Sequence, residues 1–470
     1  MVDRQKETLK ETLKRIKARN DAIGEGFCVA KWWHQEMHLA EGINMSCYHC
    51  PPHALDKGSD LHNTLHKKQR RYEMLNNIKP EECTRCWDIE DTGEFVSPRQ
   101  ILSLMYLRRD PTIIETTATH HWNEPVFPKY LEVSFSNECN LRCTYCAPQK
   151  SSSLYKEMET HGEFDLSHEN RNHYSLDAGW TLHEEETNPY LKRFWNWIPD
   201  AIEHLDVLRV TGGEPFLEYR NRNVSSSMKL KRLVSFLNES TVKDDFEFQI
   251  NSNLSFSTNI LREFLFHLAP WTPARKNLRV YASIDSWGEQ AEYIRHPLKV
   301  SKFEENIRFL LDNQIPVTIM TTYSVLSGMS DFPDLLYKIA EWREDYAEKE
   351  WFTQSSLMID TPHMTNPRHL SAAILPKELK ELLYYDLGLM EILNFSQYEM
   401  SKFKTALDWI YNTEYEDVDL LRHDFVKFVD QIDKRRNTDF LKTFPYYADL
   451  LKMWKSTNLP KDVDIIASID

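Results

Sequence analysis

Cysteine is missing from most of this chain: all eight lie between Cys28 and Cys146, and nothing beyond carries a thiol. That placement excludes a disulfide framework spread through the fold, and clustered thiols point instead to metal ligands or catalytic groups. Glycine is scarce too, at 12 of 470 residues against a usual ~7%, so a glycine pair carries weight wherever it occurs. Positive charge is in deficit, with 57 Lys and Arg against 72 Asp and Glu, a net charge of −15. Such a balance disfavours non-specific binding to nucleic acid or to anionic membranes. No apolar run is long enough to span a membrane, and Met1-Val2-Asp3-Arg4 opens no apolar signal region. A cytoplasmic protein with reduced thiols is the expectation. What is present suits a globular chain: 41% hydrophobic and 12% aromatic residues exclude collagen-like and wholly disordered classes.

The pattern divides into a leader helix (1–25), a Cys-rich segment (26–128), an alternating α/β segment (129–360) and a helical C-terminal region (361–470). Lys6, Leu9, Leu13 and Ile16 have helical spacing over residues 5–19. Trp32, Trp33, His34 and Met37 precede the turn-like Glu41-Gly42, with Ile43 and Met45 beyond, which predicts a hairpin delivering Cys47 and Cys50. A basic helix with Lys67, Lys68, Arg70 and Arg71 runs toward Lys79-Pro80 and reads as a solvated face. Strands are expected near 131–136, 207–211, 246–251, 278–284, 315–323 and 353–359. Helices are expected between them near 190–204, 227–238, 258–268, 302–313 and 332–344. Strands separated by helices imply a parallel sheet, whose chemistry gathers at the strands' carboxyl ends. The polar gap 147–206, with His161, His168, His173 and Glu184-Glu185-Glu186, reads as an insertion.

Cys139-Asn-Leu-Arg-Cys143-Thr-Tyr-Cys146 directly follows the first of these strands. Three thiolates at C-x3-C-x2-C spacing can face one point, one ligand short of a tetrahedral zinc site or a [4Fe–4S] cube. Both readings stay open on spacing alone. Thr211-Gly212-Gly213-Glu214-Pro215 follows the second strand and holds the one adjacent glycine pair of the sequence. In so glycine-poor a chain this suggests close backbone approach to a ligand.

Together these motifs resemble the radical S-adenosylmethionine (SAM) superfamily over roughly residues 129–325. The resemblance implies a partial (β/α)6 barrel whose [4Fe–4S] cluster is held by Cys139, Cys143 and Cys146, with SAM on the open iron. It also implies a 5′-deoxyadenosyl radical that abstracts hydrogen from substrate. By the same resemblance Tyr145 packs near the adenine, and Gly212, Gly213 and Glu214 receive the methionyl amino group. Asn253 lies where relatives often carry Thr-Asn-Gly, with Leu254 in place of the glycine. Ser283 and Asp285 match the segment near the ribose and carboxylate. Arg295 matches a basic partner for the SAM carboxylate, with a surface ion pair as the alternative.

Cys47-Tyr-His-Cys50 and Cys83-Thr-Arg-Cys86 are two C-x2-C knuckles, which alone suggest structural zinc. With Cys28, Trp32, Gly42, Glu90, Gly93, Ser97 and Arg99 they resemble a twitch (half-SPASM) auxiliary domain, here preceding the barrel. Lys31 stands where relatives tend to have proline. The resemblance implies a second [4Fe–4S] cluster on Cys28, Cys47, Cys83 and Cys86, with Cys50 surplus or substituting for Cys47, and zinc as the alternative. His34-Gln-Glu-Met-His38 reads as strand, with Glu36 at the wrong offset for H-E-x-x-H. An oxygen-sensitive enzyme modifying or oxidising a peptide or small metabolite is the expectation, served by a one-electron reductant such as flavodoxin or ferredoxin. His363 and Arg368 are candidate substrate-facing residues. The alternatives are a nucleotide-modifying enzyme of the same superfamily and a non-catalytic zinc-knuckle protein on a degenerate barrel.

Overall fold

The structure, a computed structural model, describes residues 9–55, 58, 60–92, 97–176, 188–217 and 228–456. Lys6, Gly93 and Glu184 to Glu186 lie outside the described residues. One nine-stranded sheet, ordered β3-β2-β1-β4-β5-β6-β7-β8-β9, organises the chain. Its six expected βα strands are β4 (Tyr130–Ser134), β5 (Val207–Thr211), β6 (Glu247–Ser252), β7 (Leu278–Ser283), β8 (Val317–Met320) and β9 (Leu357–Asp360). All five pairings among them are parallel, in chain order.

Period-2 alternation gives this sheet two unlike faces. Val133, Val210, Ile250, Val280, Ile319 and Ile359 join the main apolar core, against intervening helices such as Lys229–Glu239, Thr258–His267 and Val300–Asp312. The alternate positions are polar: Glu132, Arg209, Asn251, Tyr281 and Asp360 stand half-buried on the other face.

The N-terminal hairpin is β1 (His34–His38) and β2 (Ile43–Met45), with β3 (His53–Ala54) beyond. Its turn is where Glu41-Gly42 predicts, and Gly42 sits at φ +66°. The hairpin does not stand apart as a separate sheet. β1 pairs parallel with β4 from His34↔Tyr130 to His38↔Ser134, so the Cys-rich segment extends the βα sheet by three strands. The sheet also curls. His363, just past β9, feels the charges of Arg85 and of His49, which lies just past β2. Seven strand spacings of about 4.8 Å would hold those ends some 34 Å apart in a flat sheet, beyond the reach of such an interaction.

The basic helix corrects a sequence expectation. It spans Leu65–Leu75, and Lys67 and Arg71 are fully buried rather than solvated. Lys67 Nζ donates to His34 O and Gln35 Oε1, both at 2.8 Å, and Arg71 Nε donates to Lys31 O at 3.1 Å. The two cations clamp the backbone entering β1. Among the described residues no helix is long and apolar enough to cross a membrane.

Candidate functional site

The first thiol site is built where β4 ends. Ser136 and Glu138 lead into the cysteine loop, and the turn after β5 packs directly against them. Gly213 N donates to Ser136 O at 3.1 Å, and Glu214 N donates to Glu138 O at 2.7 Å. A Cβ on Gly213 would lie 2.3 Å from Glu138 O, and one on Gly212, at φ +125°, would lie 2.7 Å from Ser136 O. The glycine pair is therefore needed for close approach to the cysteine loop itself. The loop's other side is pinned by Arg142 N to His296 O at 2.6 Å and Thr144 N to Ile294 O at 2.8 Å.

Glu214 is fully buried and organises the next turn. Its carboxylate accepts from Ser252 Oγ at 3.0 Å and Asn253 N at 2.6 Å. Asn253 Nδ2 in turn donates to Asn140 Oδ1 at 2.9 Å and lies 3.9 Å from Cys139 Sγ. Leu254, at the position of the absent glycine, takes the left-handed conformation at φ +47°. Its carbonyl accepts from the buried Asn306 at 2.8 Å.

On the β7 side, Asp285 is fully buried and gathers three groups. Arg295 grips it through Nε at 2.7 Å and Nη2 at 3.1 Å, Tyr145 Oη donates at 2.9 Å, and Thr322 N donates at 2.9 Å. Arg295 thus forms a buried ion pair, and its Nη1 lies 3.9 Å from Cys143 Sγ. Ser283 ends β7, half-buried on the polar face. Burial pushes the Cys139 thiol up to about 12, with Cys143 adding to it; Cys146 rises through burial and its two neighbours. Cys143 rises through burial against the opposing pull of Arg295. Such thiols stay protonated until a metal displaces the proton.

The insertion covers this loop. Ser152 Oγ accepts from Cys139 N at 3.1 Å, Tyr174 Oη donates to Thr144 O at 2.8 Å, and His173 Nε2 lies 3.1 Å from Tyr145 O. A buried charge network invisible to sequence reading joins Arg142 of the loop, Glu157 of the helix Ser152–His161, and Arg436 at the end of the helix Val418–Arg436. Arg436 donates to both Glu157 oxygens at 3.0 and 3.1 Å, and Arg142 lies 3.1 Å from one of them.

The second thiol site is a cavity of about 420 Å³, counting its open mouth, lined by all five remaining cysteines. Cys47 Sγ and Cys50 Sγ lie 3.3 Å apart. Cys50, Cys83 and Glu82 bring their ligand atoms within 4.8 Å of one another. Hydrogen bonds from Cys47 and Cys83, with Lys31 nearby, hold Cys50 far below the usual thiol range, while its two partners are pushed up. Burial and Cys28 push Cys86 up to about 12. Glu90, Ser97 and Arg99 form one cluster: Ser97 Oγ donates to Glu90 at 2.5 Å and Arg99 Nε at 2.9 Å. Arg99 Nη1 then donates to Phe27 O at 2.9 Å, fixing the backbone before Cys28. Ser97 also caps the helix Pro98–Leu107 in a reciprocal box with Gln100.

Between the two sites lies the polar face. Arg209 bonds Asn251 Oδ1 at 2.9 Å and covers Tyr281 at 4.0 Å, with Glu132 at 3.8 Å. Glu36, opposite Glu132 in register, is raised to about 8 by burial and by that neighbour. Tyr48, between Cys47 and Cys50, meets His34 edge-on at 4.9 Å. His363 stacks on Trp409 at 4.3 Å, and burial lowers it to about 4. Arg368 is held by Glu169 at 2.8 Å and by Asp417, so its charge is committed to joining the insertion to the C-terminal region.

No protein-family model and no curated protein matches the chain. Among solved structures it is similar to native anSMEcpe with bound AdoMet, at 14% identity and a TM-score of 0.33, over 56% of this chain and 59% of that one. It is also similar to Streptococcus suis SuiB bound to S-adenosylmethionine, at 11% identity and a TM-score of 0.35, over 77% and 69% of the two chains. SuiB bound to precursor peptide SuiA gives 10% identity and a TM-score of 0.31, over 77% and 70%. The likenesses are distant on both measures, and the chain spans 59% of the first of these structures.

Proposed function

We propose that this chain is a radical SAM enzyme. The observation that carries the reading is the packing of Cys139, Cys143 and Cys146, in one loop at the end of β4, between the Gly212-Gly213-Glu214 turn and the Asp285–Arg295 pair. The donor set fits a [4Fe–4S] cluster with one open iron: three half-buried thiols, and a buried cation beside one of them to offset thiolate charge. When bound, the cluster and SAM supply a 5′-deoxyadenosyl radical that takes a hydrogen atom from substrate.

This chain's own residues hold and shield that centre. Cys139, Cys143 and Cys146 would be the ligands. Glu214, buried and fixed through Ser252 and Asn253, holds its turn against the loop and supplies a negative charge that would suit an amino group there. Arg295, oriented by Asp285, turns one guanidinium nitrogen toward Cys143 and is suited to a carboxylate. Tyr145 is held by Asp285 and can flank an adenine ring. The insertion's Tyr174 and His173 close over the loop and exclude water. The substrate, a peptide or small metabolite, would lie on the polar face between Glu36, Glu132, Arg209 and Tyr281, under Tyr48 and His363.

The second cavity fits an auxiliary [4Fe–4S] cluster drawn from Cys28, Cys47, Cys50, Cys83 and Cys86. One observation favours a rival: Cys47 and Cys50 at 3.3 Å, with Cys83 and Glu82 close by, lie nearer to the sulfur–sulfur spacing of tetrahedral zinc, about 3.8 Å, than to the wider spacing of cubane ligands. Anaerobic reconstitution separates the two, giving about eight irons per chain for two cubanes and about four plus one zinc for the hybrid. Reduced protein should consume SAM and release 5′-deoxyadenosine. Cys143→Ala should abolish this and remove about four irons, while Cys50→Ala should leave cleavage largely intact. Iron-replete protein that never consumes SAM would refute the proposal.

A further inference from the structure

The five-cysteine cavity also encloses an ion pair. Lys31, 2% exposed, follows Cys28 on the helical turn Ala30–Trp33, and its Nζ lies 3.9 Å from Cys50 Sγ while pairing with Glu82 Oε1. Glu82 immediately precedes Cys83, and its carboxylate lies within 4.8 Å of the Cys50 and Cys83 sulfurs. Its other oxygen holds His66, which stacks on His53 at 4.2 Å and reaches the surface. A chain of polar side chains thus runs from the thiols to solvent.

Packing does not require an ammonium here. An apolar side chain would fill the same space without desolvating a charge, and a buried ion pair is weak evidence for stability. The placement becomes useful when the thiols carry a metal group. Four thiolates give such a group net negative charge, and one-electron reduction adds another unit without breaking a bond. The reduced state gains most from a fixed positive charge at van der Waals range of a sulfur, and net charge and contacts to sulfur are levers that set cluster potentials.

Resting on the auxiliary-cluster reading above, we infer that Lys31 and Glu82 are an opposed pair of positioning charges that set the reduction potential of the second metal site. Lys31 favours the reduced state and Glu82 the oxidised one. The electron comes from a one-electron donor, and both side chains keep their charge throughout. Lys31, in direct contact with sulfur, biases the site toward accepting an electron. Arg85 and Arg99 also line the cavity, and Arg99 and Glu90 act on Cys86; all three are unchanged in the variants below and supply a constant background.

The test uses the full chain with Cys139, Cys143 and Cys146 all replaced by Ala, leaving only the second site to be reconstituted anaerobically with iron and sulfide. An electrochemical titration followed by electron paramagnetic resonance gives the midpoint potential. Lys31→Met should shift it downward, Lys31→Arg should restore it toward the parent value, and Glu82→Gln should shift it upward. Should Lys31→Met fail to bind iron, Lys31→Gln and Glu82→Gln decide. Iron-replete variants whose midpoints equal the parent's, or shift with the opposite sign, would overturn the inference while leaving the cluster reading intact. A parent that binds zinc and gives no reducible iron signal would overturn both.

Discussion

Leu254 shows how one residue can satisfy a turn at a cost. A left-handed β-branch-free residue other than glycine costs about 1–2 kcal/mol, yet its side chain is fully buried in the main core. Leu254→Gly would relieve that strain and forfeit packing worth about 2–5 kcal/mol. The expected outcome is a variant less stable by roughly 2 kcal/mol, read as a lower urea midpoint, with the Asn253 contacts to Glu214 and Asn140 loosened. His369 makes a pH prediction at the same scale. It is fully buried against Phe428 and Tyr174, neither ring nitrogen has a hydrogen-bond partner among the described residues, and burial lowers it to about 3. A histidine with a depressed folded value binds its proton in the unfolded chain first. Its contribution to stability is thus complete above about pH 6.5 and is lost as pH falls toward 3. His369→Phe should flatten that acid limb when denaturation midpoints are compared between pH 7 and pH 4.5.

At the scale of elements, the insertion and the C-terminal helices are joined by buried charge. Glu157 and Arg436 are both fully buried, and Arg142 of the cysteine loop shares the same carboxylate. Arg436→Met would leave Glu157 with only the half-buried Arg142, a loss on the order of 3 kcal/mol. The expected outcome is a lowered melting temperature together with weaker iron loading at Cys139, Cys143 and Cys146, while iron at the second site is kept. The six βα strands were legible because their outward positions, from Val133 to Ile359, alternate apolar with polar. The cysteine loop and Gly212-Gly213 were legible because spacing alone brings chemistry together. The Glu157–Arg436 pair was not, since its members are 279 positions apart and neither belongs to a local pattern. Lys67 and Arg71 looked solvated because charge is the usual mark of a surface; only their shared helical face with the buried Met74 hinted otherwise.

For the whole molecule, the junction of β1 with β4 matters most. A Cys-rich segment ending near residue 128 looked separable in sequence, but nothing local in His34–His38 encodes a partner strand 96 residues away. Because β1 pairs along the whole of β4 and Lys129 N donates to Trp33 O at 2.9 Å, residues 26–128 expressed alone should lack cooperative unfolding by circular dichroism. Residues 129–456 alone should aggregate through the uncovered edge of β4. A fragment 26–128 that melts cooperatively and binds iron would contradict this.

The confinement of all thiols to the region before Cys146 has a consequence for synthesis. At about 5–20 residues per second, the ribosome needs roughly 8 to 30 seconds after Cys146 before Arg295 is made. Through that interval the three nascent sulfurs of the first loop lack their cation, and until Gly212-Gly213 emerges they lack their covering turn as well. Delivery of iron to the first loop therefore belongs after translation has passed β7, and oxidants meeting the growing chain would find its ligands at their most vulnerable.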